Sequence, residues 1–281
     1  MKKVPLLTVV FFSYCLLLVV LNCNKNVPTQ TVVTAPRNSS SNTAPSSGTW
    51  FMQLMGSENA VYDSRYSVFV VDLFDATDAF IKTVHDNKAQ VIAYFSAGSL
   101  ENWRPDISLV DQAAIGSVYQ GYDNENWLDI RASSVRALVS ERLDLAKKRG
   151  FDGVDPDNVD GYTQDSGFSL SAADQINFNQ FIATEAHARG LLVGLKNDLE
   201  QAAQLVTSFD FAVNEQCYDF NECDSYAPFI SANKHVLAIE YADTQQDAPA
   251  LCKKLVNASL AAGIQTVIAT LSLDGFWSLC P

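Results

Sequence analysis

Eight short apolar runs recur beyond Thr49, and most of the intervals between them carry helix-like patterns. The runs are Trp50–Leu54, Val68–Leu73, Val91–Phe95, Gly153–Asp155, Leu191–Leu195, Phe209–Val213, Val236–Ile239 and Thr266–Leu271. Between them lie Ala76–Asn87, Ser134–Arg149, Ser171–Arg189, Asp198–Ser208 and Asp247–Ala262, each with the composition of an amphipathic helix. Strands that read as nearly continuous apolar runs are buried on both faces, and strands separated by helices pair in parallel. Eight such repeats favour closure into a (β/α)8 TIM barrel, an α/β fold, and residues 50–281 have about the length of one such domain. The helix after the fourth strand is well delimited: Ser169 or Ser171 can cap its start, and Gly190 follows Arg189 as a stop.

Polar residues gather where these runs end. Asp72 ends the second, Tyr94 and Ser96 the third, Asp155 and Asp157 the fourth, Lys196-Asn197-Asp198 the fifth, Asn214-Glu215 the sixth and Glu240-Tyr241 the seventh. Any one of them could be a strand-end cap or a satisfied core group. Together they mark the C-terminal face of the barrel, where enzymes of this fold carry their chemistry. The densest cluster follows the fourth strand, in Gly150 to Tyr162, where Pro156 ends the ladder and Asp155, Asp157 and Asp160 crowd together. Close carboxylates cannot all ionise freely, and separated proton affinities are what acid/base or nucleophilic attack on a glycosidic bond requires.

Outside the barrel region the chain has a different character. Residues 1–23 carry Lys2 and Lys3 before a long apolar run, which reads as a secretory signal peptide, with an uncleaved membrane anchor as the alternative. Residues 24–49, rich in Ser, Thr, Asn and Pro, read as a disordered linker. Asn38-Ser39-Ser40 and Asn257-Ala258-Ser259 match the N-glycosylation acceptor pattern. In an oxidising compartment Cys217, Cys223, Cys252 and Cys280 suggest two bridges, and proximity favours Cys217–Cys223 and Cys252–Cys280. With 32 acidic against 19 basic residues and a formal charge of −13, a nucleic-acid partner is not expected, and a cationic substrate would be steered favourably. No metal and no cofactor is expected, since the cysteine spacings do not suit zinc and the chain holds only three histidines.

At the strand ends the chain resembles glycoside hydrolase family 114, the endo-α-1,4-polygalactosaminidases. The resemblance is carried by Tyr62-Asp63, Val70-Val71-Asp72-Leu73-Phe74, Val91 to Gly98 with Glu101-Asn102-Trp103-Arg104-Pro105, Trp127-Leu128-Asp129-Ile130, Gly150 to Tyr162, Gly194 to Asp198, Asn214 to Cys217 and Glu240-Tyr241. It implies a single catalytic barrel that hydrolyses α-1,4-linked galactosamine polymers, with a catalytic pair at the ends of the fourth and sixth strands. On this chain that pair is Asp157 and Glu215. The short Asp157 suits a nucleophile under the anomeric carbon and the longer Glu215 a proton donor to the leaving oxygen, with the reverse assignment open. A retaining outcome is expected and requires the carboxyls to be ~5–5.5 Å apart; ~6.5–9.5 Å would indicate inversion.

Around the pair, Asp155, Asp198, Asp72 and Glu240 could meet the ammonium of galactosamine. Lys196 and Asn158 could bond sugar hydroxyls or hold Asp157 ionised, and Tyr94, Trp103, Tyr162 and Tyr241 could stack on sugar rings. Trp127 is equally compatible with core packing, Lys196 to Asp198 with a helix cap, and Asp219, Glu222 and Asp224 with a solvated face. The expected protein is a secreted monomer acting on a cationic or partly deacetylated galactosamine polysaccharide, with no stable membrane partner unless residues 1–23 stay attached. Two other classes stay open: a carbohydrate-binding barrel without catalysis, against which the presence of both Asp157 and Glu215 argues, and a metal-dependent deacetylase. The latter needs His and Asp ligands, and His85, His187 and His235 do not fall at strand C-terminal ends.

Overall fold

Every residue of Val68–Asp72 is buried, as a strand covered by helices outside and by a barrel core inside must be. The computed structural model describes residues 49–257 and 263–279. The expected leader, the linker up to Gly48, the acceptor at Asn38 and Cys280 lie outside the described residues, as do Ala258 and Ser259 of the second acceptor.

In chain order the elements are β1 (Trp50–Gln53), β2 (Val68–Asp72), α1 (Asp78–Asp86), β3 (Gln90–Ser96), β4 (Ser99–Glu101), β5 (Ile115–Tyr119), β6 (Tyr122–Leu128) and α2 (Ser133–Arg149). They continue as β7 (Gly153–Asp157), α3 (Ala172–Ala188), β8 (Leu192–Lys196), α4 (Ala202–Leu205), β9 (Phe211–Glu215), α5 (Ala227–Ser231), β10 (Val236–Tyr241), α6 (Ala248–Asn257), β11 (Ile264–Ala269) and β12 (Trp277–Leu279). One sheet runs β1-β2-β3-β7-β8-β9-β10-β11-β12, and all its pairings are parallel except the last. The eight parallel strands coincide with the eight apolar runs, so the fold is the expected (β/α)8 barrel.

Three features depart from an even βα repeat. A short 3₁₀ turn, Ser57–Asn59, stands in place of a helix between β1 and β2. The segment between β3 and β7 forms its own antiparallel sheet, β4-β6-β5, over the C-terminal mouth. Antiparallel β12 closes the seam: Trp277 of β12 donates its indole N–H to the Trp50 carbonyl of β1, and Leu54 and Met55 donate to the Leu273 carbonyl.

Local chemistry sets the helix limits. Ser171 caps α3 by accepting from the Asp174 N–H while Asp174 accepts from Ser171, which satisfies two otherwise orphaned donors. Gly190, at φ 71°, ends the same helix in the left-handed region that a side chain resists. The helix expected over Asp198–Ser208 is shorter, a 3₁₀ turn followed by α4. Among the described residues no helix is long and apolar enough to cross a membrane.

Candidate active site

Side chains alternate across a strand, so only every second residue of a barrel strand faces the interior. On β7 the inward set includes Asp155 and Asp157; their lateral partners on β3 are Tyr94 and Ser96. Lys196 ends β8, Glu215 ends β9 and Tyr241 ends β10. Five of these residues converge. Lys196 is buried, with Nζ 3.5 Å from Asp157 Oδ1 and 3.6 Å from Glu215 Oε2. One ammonium therefore spans both carboxylates, and those two oxygens are no further apart than the two distances laid end to end. The Tyr94 hydroxyl donates to Asp157 Oδ2 at 2.8 Å, and the Asn158 backbone N–H donates to Asp157 Oδ1 at 2.8 Å. On the other side the Tyr241 hydroxyl donates to Glu215 Oε1.

The loop after β8 fixes the second acid through its backbone. Asn197, at φ 50°, accepts the Glu215 N–H on Oδ1 at 3.0 Å and the Asn214 amide at 3.2 Å. Burial opposes the charge on Lys196, but Asp157, Glu215 and Asp155 outweigh it and hold the ammonium well above its ordinary range. Burial, with Asp157 close by, drives the Tyr94 phenol well above its usual value, so it stays a donor. Tyr241 is raised by burial and by Glu215 in the same way.

The pair lies at the floor of an open cleft of about 600 Å³. Asp157 and Glu215 keep 17% and 27% of their side-chain surface exposed there, enough for a substrate to reach them. The walls differ in character. One carries Leu54, Met55, Leu271 and Leu273; another carries Asp75, Glu101, Trp103 and Arg104; the β5–β6 hairpin adds Tyr119, Tyr122 and Glu125. Trp103, Tyr122, Met55 and Leu271 are more than half exposed, so they form an apolar rim.

Two polar networks support this floor. Arg104 donates to both Asp72 oxygens at 3.0 and 2.5 Å and to both Glu101 oxygens at 2.7 and 2.9 Å, while its guanidinium lies over the Phe74 and Trp103 rings. Asn158, at φ 60°, donates through Nδ2 to Ser96, Ser99 and Glu125. A Cβ on Gly98 would collide with the Asn158 carbonyl, so glycine permits that approach. Burial raises the Glu125 carboxyl to about 6, against the Ser99 hydrogen bond.

The geometry redistributes several expected roles. Asp72, Tyr94, Asn158, Lys196 and Tyr241 line the cleft with the acids, but Asp72 is engaged by Arg104 and Asn158 by the serine cluster. Tyr94 and Tyr241 serve as hydroxyl donors to the acids. Glu240 is not in the cleft: it precedes Tyr241 on one strand and faces the opposite way, where it accepts the Tyr218 N–H at 2.9 Å behind the Cys217–Cys223 bridge. Asp198 is buried outside the cleft, accepting from Asn179 of α3 at 2.8 Å, and its side chain does not cap the following turn. Tyr162 also lies outside the cleft and donates to Glu200. Asp155 is completely buried and absent from the cleft lining. Trp127 is buried, its ring 4.7 Å from that of Tyr119, which it backs.

Cys217 and Cys223 are bonded as expected; Cys280, of the other expected pair, is outside the described residues. Asp219 and Asp224 are exposed beside a smaller cavity next to this loop. Sequence reasoning missed Tyr119, Tyr122 and Glu125, whose segment lies between two barrel strands without a barrel period. Among the described residues no group of three or more His, Cys, Asp or Glu is placed to hold a metal ion.

Comparisons with known proteins give the chain a family and relatives. The chain is similar to Ega3 of Aspergillus fumigatus, whose crystal structure is a complex with galactosamine: 36% identity, TM-score 0.76, over 83% of this chain and 95% of that one. It shares its fold with the glycoside hydrolase domain of PelA from Pseudomonas aeruginosa at 16% identity and TM-score 0.62, over 84% and 98% of the two chains. An uncharacterized protein of Deinococcus radiodurans is 27% identical over 263 residues, 80% of this chain and 81% of that protein. The family model described as glycoside-hydrolase family GH114 matches residues 31–281, and this chain, with its acids at the mouth of a TIM barrel, belongs to that family of glycoside hydrolases.

Proposed function

We propose that this protein is a secreted, monomeric, endo-acting hydrolase of α-1,4-linked galactosamine polymers, with a retaining mechanism in which Asp157 is the nucleophile and Glu215 the acid and base. The observation that carries the reading is the pair itself: Asp157 and Glu215 share one buried ammonium at the floor of an open cleft. The likeness to Ega3, whose structure is a galactosamine complex, supports the sugar. So does the excess of carboxylates in the cleft, with Asp75, Glu125, Asp157 and Glu215 facing a cationic chain. The exposed Trp103 and Tyr122 faces suit sugar rings.

In the first step an Asp157 oxygen attacks the anomeric carbon as the glycosidic C–O bond breaks, and the leaving oxygen takes the Glu215 proton. The Tyr94 hydroxyl and the Asn158 backbone N–H orient the Asp157 carboxylate through separate oxygens. Glu215, now a carboxylate, takes a proton from water, and that water attacks the anomeric carbon and frees Asp157. Lys196 offsets whichever of the two carboxylates is charged at each stage.

The test is product analysis after incubating the protein with de-N-acetylated galactosaminogalactan. Short oligomers with the starting anomeric configuration are expected from the wild type, and none from Asp157→Asn or Glu215→Gln. Full release by either variant would overturn the assignment. Retention of polymer without cleavage by all three proteins would favour a binding barrel. A metal-dependent deacetylase is disfavoured by the histidines: His85 bonds Asp152 and His187 bonds Asp210, at the strand-starting end of the barrel.

A further inference from the structure

Asp155 is a carboxylate with no substrate to meet. It is 0% exposed, lies on the inner face of β7 two residues before Asp157, and pairs laterally with Tyr94. Neither of its oxygens has a hydrogen-bond partner, whereas buried polar groups are normally paired and an uncompensated buried charge is costly. The groups acting on it from the surrounding strands are Lys196 of β8, Asp157 of its own strand and Glu215 of β9. Tyr94 of β3 and Tyr241 of β10 complete the ring and donate to the two acids above. Asp72 at the end of β2 is taken up by Arg104, which also holds Glu101.

We infer that Asp155 is a positioning residue for hydrolysis, whose proton balances the charge that Lys196 presents to Asp157 and Glu215. One ammonium faces three carboxylates, and only Asp155 lacks donors that would favour its charged form. Burial, partly offset by Lys196, carries its carboxyl up to about 7. Below that pH Lys196 is shared by Asp157 and Glu215 alone. Above it a third negative charge enters the cluster beside the ammonium, which supports proton donation to the leaving oxygen on the alkaline side of the profile.

This rests on the reading of Asp157 and Glu215 as the catalytic pair, and the experiment separates the two. The full pH profile of kcat/KM on de-N-acetylated galactosaminogalactan is measured for the wild type, Asp155→Asn and Asp157→Asn. Asp155→Asn is expected to cleave, with its alkaline limb moved down by about one pH unit and its acid limb and KM unchanged. A merely structural role would lower the whole profile without moving a limb, and that result, or an unchanged profile, overturns the inference while an inactive Asp157→Asn upholds the pair. Activity in Asp157→Asn overturns the pair itself. Asp155→Ser, which removes the carboxyl without adding two buried donors, replaces Asp155→Asn if the latter does not fold. Failure of both to fold between pH 5 and 8 assigns Asp155 a structural part and also overturns it.

Discussion

The Tyr94 hydroxyl reaches across from β3 to donate to Asp157 Oδ2 at 2.8 Å, so the proposed nucleophile is aimed by a neighbouring strand as well as by its own. Tyr94→Phe removes that donor and keeps the ring under Lys196, whose Nζ lies 5.5 Å from its centroid. A hydrogen bond to a charged group contributes about 1.5–3 kcal/mol, so kcat/KM should fall roughly 10- to 100-fold with little change in melting temperature. Reducing-end release and calorimetry on the same sample check both halves.

Arg104 stands between two buried acids. Asp72 and Glu101 each receive two of its hydrogen bonds, and those acids, against the cost of burial, hold the guanidinium above its ordinary range. Arg104→Ala leaves both carboxylates buried and unpaired, a loss expected at about 3–5 kcal/mol. Arg104→Lys should recover only part of it, because an ammonium cannot match two carboxylates with a planar fork. Denaturant unfolding of the three proteins reads this directly.

Asp198 makes stability depend on pH. Burial, with Asp160 nearby, pushes its carboxyl up to about 8, whereas the unfolded chain releases that proton near the usual value of about 3.9. The folded state therefore binds the extra proton, and the stability this contributes is complete below about pH 4 and lost as pH rises through 8. Asp198→Asn, which can still bond Asn179, should melt at a higher temperature than the wild type at pH 9 and near it at pH 4. Equal pH slopes in the two proteins would contradict this.

The Cys217–Cys223 bridge closes a loop of six residues' separation just after Glu215. Chain entropy assigns such a small loop about 2 kcal/mol. The double Cys→Ser variant should lose that much in unfolding free energy and also lose turnover, since the bridged loop begins at Cys217, two residues after Glu215. Turnover that survives while stability falls would separate the loop from the site.

Apolar runs were a faithful guide to the barrel strands because burial on both faces leaves little freedom in what those strands can contain. Strand-end chemistry was legible at Asp157, Lys196 and Glu215 for the same reason: few places in a barrel hold charge. Direction was harder to read. Glu240 and Tyr241 are adjacent, and a pleat sends them to opposite faces, a one-residue distinction that depends on register. Asp198 follows the strand in a left-handed conformation, at φ 45°, so strand alternation no longer predicts where it points. Tyr119, Tyr122 and Glu125 belong to a hairpin with register shifts and little apolar periodicity, and Arg104 joins the nearby Glu101 to Asp72, which is 32 positions away.

Closure of the barrel by β12 carries a temporal consequence. Trp50 and Trp277 are 227 positions apart, so β1 has no seam partner until nearly the whole of this region has been synthesised, about 10 to 45 seconds later at ordinary elongation rates. Until then one edge of the growing sheet is open, and the contacts that seal it are among the most sequence-distant in the molecule, the kind that slow folding most. Ribosome-bound chains ending before residue 277 should therefore remain protease-sensitive near β1, whereas released chains that include β12 should not.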